Sequence, residues 1–237
     1  LGDVYKRQQK YLSAAGLLLV ATAAVKVIGA VYKIPLTGLI GGTGRGYFST
    51  AYTLFMPVHA ITLGAFPVAL SGLVSKYRAT GDSARVAALQ RSACGLFFWV
   101  GLAGTALMVL LAGPYTRLVA GAPKAVYTVL ILAPTALFSA MAAAHRAFAE
   151  GHLNMVPTSV CQVLEALFKM VFGLLFAKLS MGRLYQIYLD TGMVLGNRAE
   201  SETAALSMMY PVTAACAMLG VTLGALAAWV YAPTALF

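Results

Sequence analysis

The sequence predicts an all-α polytopic membrane protein, a bundle of six transmembrane helices. Three observations carry that prediction. Of the 237 residues 60% are hydrophobic, and only 10% are charged, where soluble domains carry about 25%. Six stretches of about twenty or more mostly apolar residues are each long enough, at about 1.5 Å per residue, to cross a hydrocarbon core of roughly 30 Å. Breaker-rich segments separate these stretches, as turns between antiparallel neighbours require.

The spans are read at 11–31, 47–74, 86–111, 126–148, 156–179 and 204–231. Between the first two lie Pro35 and the cluster Gly41-Gly-Thr-Gly-Arg-Gly46. That cluster lacks both the GK[ST] ending of a nucleotide-binding loop and the G-x-G-x-x-G spacing, so a flexible turn is expected. Gly81-Asp82-Ser83 closes the second span, Gly113-Pro114 with Gly121 and Pro123 the third, and the 151–154 stretch the fourth. The polar stretch 180–202 is the longest joint. Pro57, Pro67, Pro134 and Pro211 fall inside spans and are expected to kink them. Gly220 and Gly224 form a GxxxG in the sixth span, read as close helix packing.

Net charge is +10, from 17 basic and 7 acidic residues. In a membrane protein such an excess contacts anionic head groups and orients the chain, and without basic runs interleaved with aromatics nucleic acid is not a partner. Basic residues divide almost evenly between the two sides, so orientation rests on the densest short cluster, Lys76, Arg78, Arg85 and Arg91, which places the N-terminus in the cytoplasm. Cys94, Cys161 and Cys216 have no metal-ligand spacing and read as packing residues, so neither metal nor cofactor is expected. Residues 1–8 (LGDVYKRQ) resemble translated sequencing adapter and are expected to be a non-native leader, with 9–237 forming the membrane unit of a fragment.

The informative residues are charges inside spans, where an ionisable group costs about 2.5–3.5 kcal/mol to insert. Thr158, Gln162, Glu165 and Lys169 follow spacings that put all four on one helix face, and Glu165 and Lys169 can pair at i, i+4. Thr22, Lys26, Gly29 and Lys33 repeat the pattern in and just beyond the first span. Two such stripes should face one another or a shared aqueous cleft that is net positive, suited to an anionic lipid-linked substrate. Lys26, Lys33 and Lys169 are the candidate binding residues, Glu165 and Gln162 the ion-pair or coupling residues, and His59 a possible relay. Lys33 can instead snorkel to the interface. With one acid in the spans, no catalytic residue is assigned.

Several segments together resemble a known family: Lys26-Val-Ile-Gly-Ala-Val-Tyr-Lys-Ile-Pro-Leu36, Gly64-Ala-Phe-Pro-Val-Ala-Leu-Ser71, Arg146-Ala-Phe-x-x-Gly151 and Met155-Val-Pro-Thr158, followed by Gln162, Glu165 and Lys169. They are similar to the stage V sporulation protein B and polysaccharide flippase group of the multidrug/oligosaccharidyl-lipid/polysaccharide exporter superfamily. The resemblance implies two helical lobes around a central cationic cavity, alternating between inward-open and outward-open states. It also implies that this chain is an N-terminal lobe, six of the usual fourteen helices, that needs a C-terminal lobe to transport. Family members commonly carry a basic residue, often Arg, where Lys26 and Lys33 stand, and a basic residue at Lys169. Lysine keeps the charge but not the bidentate grip on phosphate.

The expected function is translocation of a lipid-linked oligosaccharide or peptidoglycan precursor in the plasma membrane. Two alternatives stand beside it: a cation-coupled multidrug antiporter depending on Glu165, and a membrane-embedded transferase using His145 and Glu150.

Overall fold

The computed structural model describes the backbone of residues 2–234 and, within them, all side chains but those of 2–11, 14 and 15. The leader expected at 1–8 falls among the residues so excluded. The described chain is almost wholly helical: α1 (Gly2–Leu63), α2 (Phe66–Ala79), α3 (Ser83–Pro114), α4 (Val126–Leu132), α5 (Pro134–Gly151), α6 (Val156–Thr191) and α7 (Glu202–Thr234). A π-turn at Tyr115–Val119 and a 3-10 turn at Pro123–Ala125 join α3 to α4. Five helical stretches are long and apolar enough to cross a membrane. The protein is thus an all-α, multi-pass membrane protein. Its outward faces agree, since Trp99, Leu110 and Leu118 are 68%, 73% and 84% exposed, a surface that only lipid or another apolar partner can cover.

The first helix accounts for the difference between five stretches and the six read from sequence. Its 62 residues would run about 90 Å if straight, three times the hydrocarbon core. It is broken at Gly41, where φ is 62° and ψ −175°, a conformation essentially confined to glycine. The two sides of the break pack on each other: Tyr32, Leu36 and Ile40 share a cluster with Phe48. The rest of the glycine cluster is helical, so the flexible turn expected across it contracts to one residue. A Cβ at Gly41 would lie 2.7 Å from the Tyr210 ring of α7, so any other residue would have to displace the tip of that side chain.

Of the four prolines expected to kink spans, two stand at helix starts and two in interiors. The second expected span, 47–74, is interrupted at Gly64–Ala65, and Pro67 sits in the first turn of α2, where its missing N–H costs nothing. Pro134 opens α5 in the same way, yet Ala133 keeps helical angles (φ −52°, ψ −46°), so α4 and α5 continue one another. Hydroxyls of neighbouring helices serve the carbonyls around this break: Thr222 donates to Ile131 O at 2.7 Å and Thr105 to Ala133 O at 3.2 Å. Pro57 and Pro211 do lie inside their helices.

The polar joint expected over 180–202 is mostly helix. α6 runs on to Thr191, ends on Gly192 in the left-handed region (φ 67°), and a two-stranded hairpin pairs Met193 with Arg198 and Val194 with Asn197. Its buried Val194 packs with Ala205 and Met209 at the start of α7. Among the interior clusters of the described residues, Leu54, Phe55 and Val58 of α1 pack against Met108, Leu132 and Met218; α2 and α3 against the alanine face of α5; Tyr32, Leu36 and Ile40 against Ala177 and Ala217; and Ala142 and Cys161 with Ala228 and Ala232.

Candidate functional site

The site is organised by the contact between α6 and α7. In lipid no hydrophobic effect drives helices together, so close approach depends on small residues. Gly220 of α7 abuts the Gly173 backbone of α6, and a Cβ on Gly224 would lie 2.7 Å from Glu165 O. This fixes the turn of α6 that bears Glu165 and Lys169. It also confirms the packing role read for the GxxxG.

On its opposite side α6 meets the broken helix α1, and there Lys169 is enclosed. Its Nζ donates to Tyr52 Oη at 2.9 Å. The same ammonium lies 4.9 Å from the centroid of the Tyr52 ring, 5.5 Å from Tyr32 and 6.0 Å from Phe48. Tyr32 precedes the Gly41 break while Phe48 and Tyr52 follow it, so the fold-back of α1 builds this surround.

The ion pair expected between Glu165 and Lys169 is not the one that forms. Arg146 of α5 reaches Glu165 Oε1 at 3.4 Å, with the two side chains only 18% and 35% exposed. Arg146 therefore neutralises the acid from another helix and leaves Lys169 without a carboxylate. His59 packs against Phe55 with centroids 4.9 Å apart and the rings tilted by 31°, and its Nδ1 is buried without a hydrogen-bond partner. Thr158, expected on the shared polar stripe, instead donates to Glu150 Oε1 at 2.7 Å. His145 Nδ1 contacts Met141 O at 2.8 Å and its Nε2 lies 3.9 Å from Cys94 Sγ.

Two adjoining cavities share Tyr52 and Lys169. One, of about 320 Å³, is lined by Lys33, Arg45 and Lys169 along with Tyr32, Phe48 and Tyr52, and no carboxylate lines it. The other, of about 280 Å³, is lined by His59, Thr135, Ser139, Gln162 and Glu165. Lys33 and Lys169 thus come together as their stripes suggest, and Gln162, Glu165 and His59 share the second cavity. Lys26 is exposed and lines neither, although its neighbours Val25 and Gly29 do. Arg45 is the residue that sequence reasoning missed. Reading the glycine cluster as a turn assigned it to an outer loop, whereas the spacing Arg45, Phe48, Ser49, Tyr52 is that of one helix face.

Three cations without an acid attract an anion of more than one charge, and the second cavity offers neutral donors and acceptors around one compensated ion pair. Among the described residues no group of three or more His, Cys, Asp or Glu could hold a metal ion.

The chain is 28% identical over 174 residues to lipid II flippase MurJ of Bacillus subtilis (strain 168), an alignment covering 69% of this chain and 31% of that protein. It is 25% identical over 158 residues to stage V sporulation protein B of the same organism, covering 67% of this chain and 30% of the relative. The chain therefore spans about a third of the length of the curated relatives it matches. No solved structure matches it significantly. Residues 12–191 match the family described as polysaccharide biosynthesis protein, which bears out the resemblance drawn from the motifs: with well over half of its length inside that match, the chain belongs to that family.

Proposed function

We propose that this chain is the N-terminal lobe of a flippase, which turns over an anionic lipid-linked oligosaccharide or peptidoglycan precursor by alternating access against a second lobe. The observation that carries the reading is the acid-free cavity of Lys33, Arg45 and Lys169, built between helices long and apolar enough to cross a membrane. A diphosphate bridging lipid and sugar is the part of such a substrate that hydrocarbon resists most, and fixed cations in a wet cavity offset that cost. Lys26, one turn before Gly29, extends the same helix toward the substrate's path. The fold-back at Gly41 supports counting α1 as two spans, and hence six in the lobe. Homology to a lipid II flippase supports the substrate class.

In this reading the lobe sits in the plasma membrane with its N-terminus in the cytoplasm. Arg78 donates to His152 O at 2.7 Å, so the joints after α2 and after α5, which carry or adjoin the basic cluster, share one end of the bundle. The antiporter alternative needs an acid free to exchange a cation, and Glu165 is engaged by Arg146. The transferase alternative needs His145 beside Glu150, and the two side chains turn to different partners.

The test is translocation of a fluorescent polyprenyl-diphosphate-linked disaccharide by the full-length protein in vesicles. Lys169→Ala is expected to lower the rate about tenfold or more, as the loss of a charge-assisted hydrogen bond of about 1.5–3 kcal/mol implies. Unchanged turnover at equal incorporation would remove Lys169 from the mechanism. Glu165-dependent efflux of a cationic dye without precursor translocation would favour the antiporter.

A further inference from the structure

An ammonium at membrane depth ordinarily finds a carboxylate. Here the carboxylate one turn away, Glu165, is taken by Arg146, and the groups around Lys169 Nζ are three aromatic rings and one phenol oxygen. A ring face attracts a cation through its quadrupole, and the attraction grows as water is excluded. It differs from an ion pair in one respect that matters for function: the rings hold the cation without cancelling its charge. An incoming anion then meets an ammonium whose position is fixed and which is not engaged in an ion pair of its own, since Glu165 is paired with Arg146. Cation and rings stay together when the anion binds, because an anion approaches from the open cavity and not through the ring faces.

We propose that Tyr32, Phe48 and Tyr52 are positioning residues, an aromatic box that presents the Lys169 ammonium to the diphosphate of the substrate, Tyr52 through its hydroxyl and Tyr32 and Phe48 through their rings. The proposal rests on the flippase reading of the cavity. It accounts for three otherwise unrelated features. The break at Gly41 is required to bring Tyr32 opposite Phe48 and Tyr52. Tyr32 is 4% exposed and its hydroxyl makes no hydrogen bond, so the ring and not the hydroxyl explains its place. Gly173 leaves room for that ring, since a Cβ there would lie 2.9 Å from Tyr32 Oη.

The experiment compares Tyr52→Leu, Phe48→Leu, Tyr52→Phe and Lys169→Ala in the full-length protein, in vesicles, with the polyprenyl-diphosphate-linked disaccharide as probe. An uncharged polyprenol-linked disaccharide serves as a second, competing probe. Tyr52→Leu is expected to raise the half-saturating concentration about tenfold or more, as loss of the charge-assisted hydrogen bond that fixes the ammonium implies, with turnover at saturation within about twofold. Phe48→Leu, which removes the most distant ring, should act in the same direction and less. Tyr52→Phe keeps the ring but removes the hydroxyl that accepts from Lys169, and should act in the same direction as Tyr52→Leu and to a similar extent. Competition by the uncharged probe should be unchanged in all of them, which a merely structural role would not allow. If Lys169→Ala abolishes translocation while both leucine variants keep the parent's half-saturation, the box is wrong and the flippase reading stands. Tyr52→Phe matching the parent while Tyr52→Leu does not would take the hydroxyl out of the holding of Lys169 and overturn the proposal. If Lys169→Ala itself leaves half-saturation unchanged, the box and the cationic site fall together.

Discussion

Arg146 and Glu165 form a half-buried ion pair whose members need each other more than the fold needs the pair. Removing one charge leaves the other poorly solvated, whereas removing both leaves neutral groups. Arg146→Ala should therefore destabilise the purified full-length protein by about 1–3 kcal/mol, and adding Glu165→Gln should restore part of the loss. Melting in detergent reads both, and a double variant weaker than the sum of the singles would contradict the pairing. Spacing alone exposed Gln162, Glu165 and Lys169, because polar residues that repeat at helical period within an apolar span share one face, and that face must turn away from lipid. Spacing could not reveal Arg146 as the partner. It stands near a helix end, where charges are ordinary, and its reach to Glu165 depends on the tight joint between α5 and α6. The rings around Lys169 were equally hidden, since aromatic residues in a span read as packing until a neighbouring helix brings a cation to them.

The helices are placed by small residues, and two of these should be intolerant of substitution for different reasons. Gly220 touches the backbone of α6 at Gly173, so Gly220→Ala must push apart the helix pair that positions Glu165 and Lys169. Overpacking of this kind costs about 1–3 kcal/mol, and it should lower both melting temperature and probe affinity. Gly41→Ala combines a positive φ with a Cβ directed at Tyr210, and should cost at least as much. Either variant melting like the parent would show that the helix separation or the break is not under tension from these contacts. At this level GxxxG was legible because its spacing is its mechanism. The break within α1 was foreseen but placed too broadly, because six residues rich in glycine look like a loop although only Gly41 needs a glycine conformation. The extension of α6 to Thr191 was not foreseen, since polar residues in a helix that outruns the hydrocarbon core resemble the residues of a connection.

For the molecule as a whole, composition alone gave the membrane class, because 10% charge over 237 residues leaves no way to coat a soluble surface. Orientation was the least legible property, with basic residues near balance on the two sides. The proposed topology predicts that Thr80→Cys, in the joint after α2, reacts with an impermeant thiol reagent only in permeabilised cells, once the native cysteines are replaced. Labelling in intact cells would invert the topology. The whole reading depends on water and an anion reaching Lys169 from a positively charged cavity. In the full-length protein with Cys94, Cys161 and Cys216 replaced, Lys169→Cys should react faster with an anionic sulfonatoethyl methanethiosulfonate than with its trimethylammonium counterpart, because Lys33 and Arg45 remain to set the field. A polyprenyl diphosphate should slow that reaction. A thiol inert to both reagents, or one that prefers the cationic reagent, would contradict an anion-binding cavity at this position.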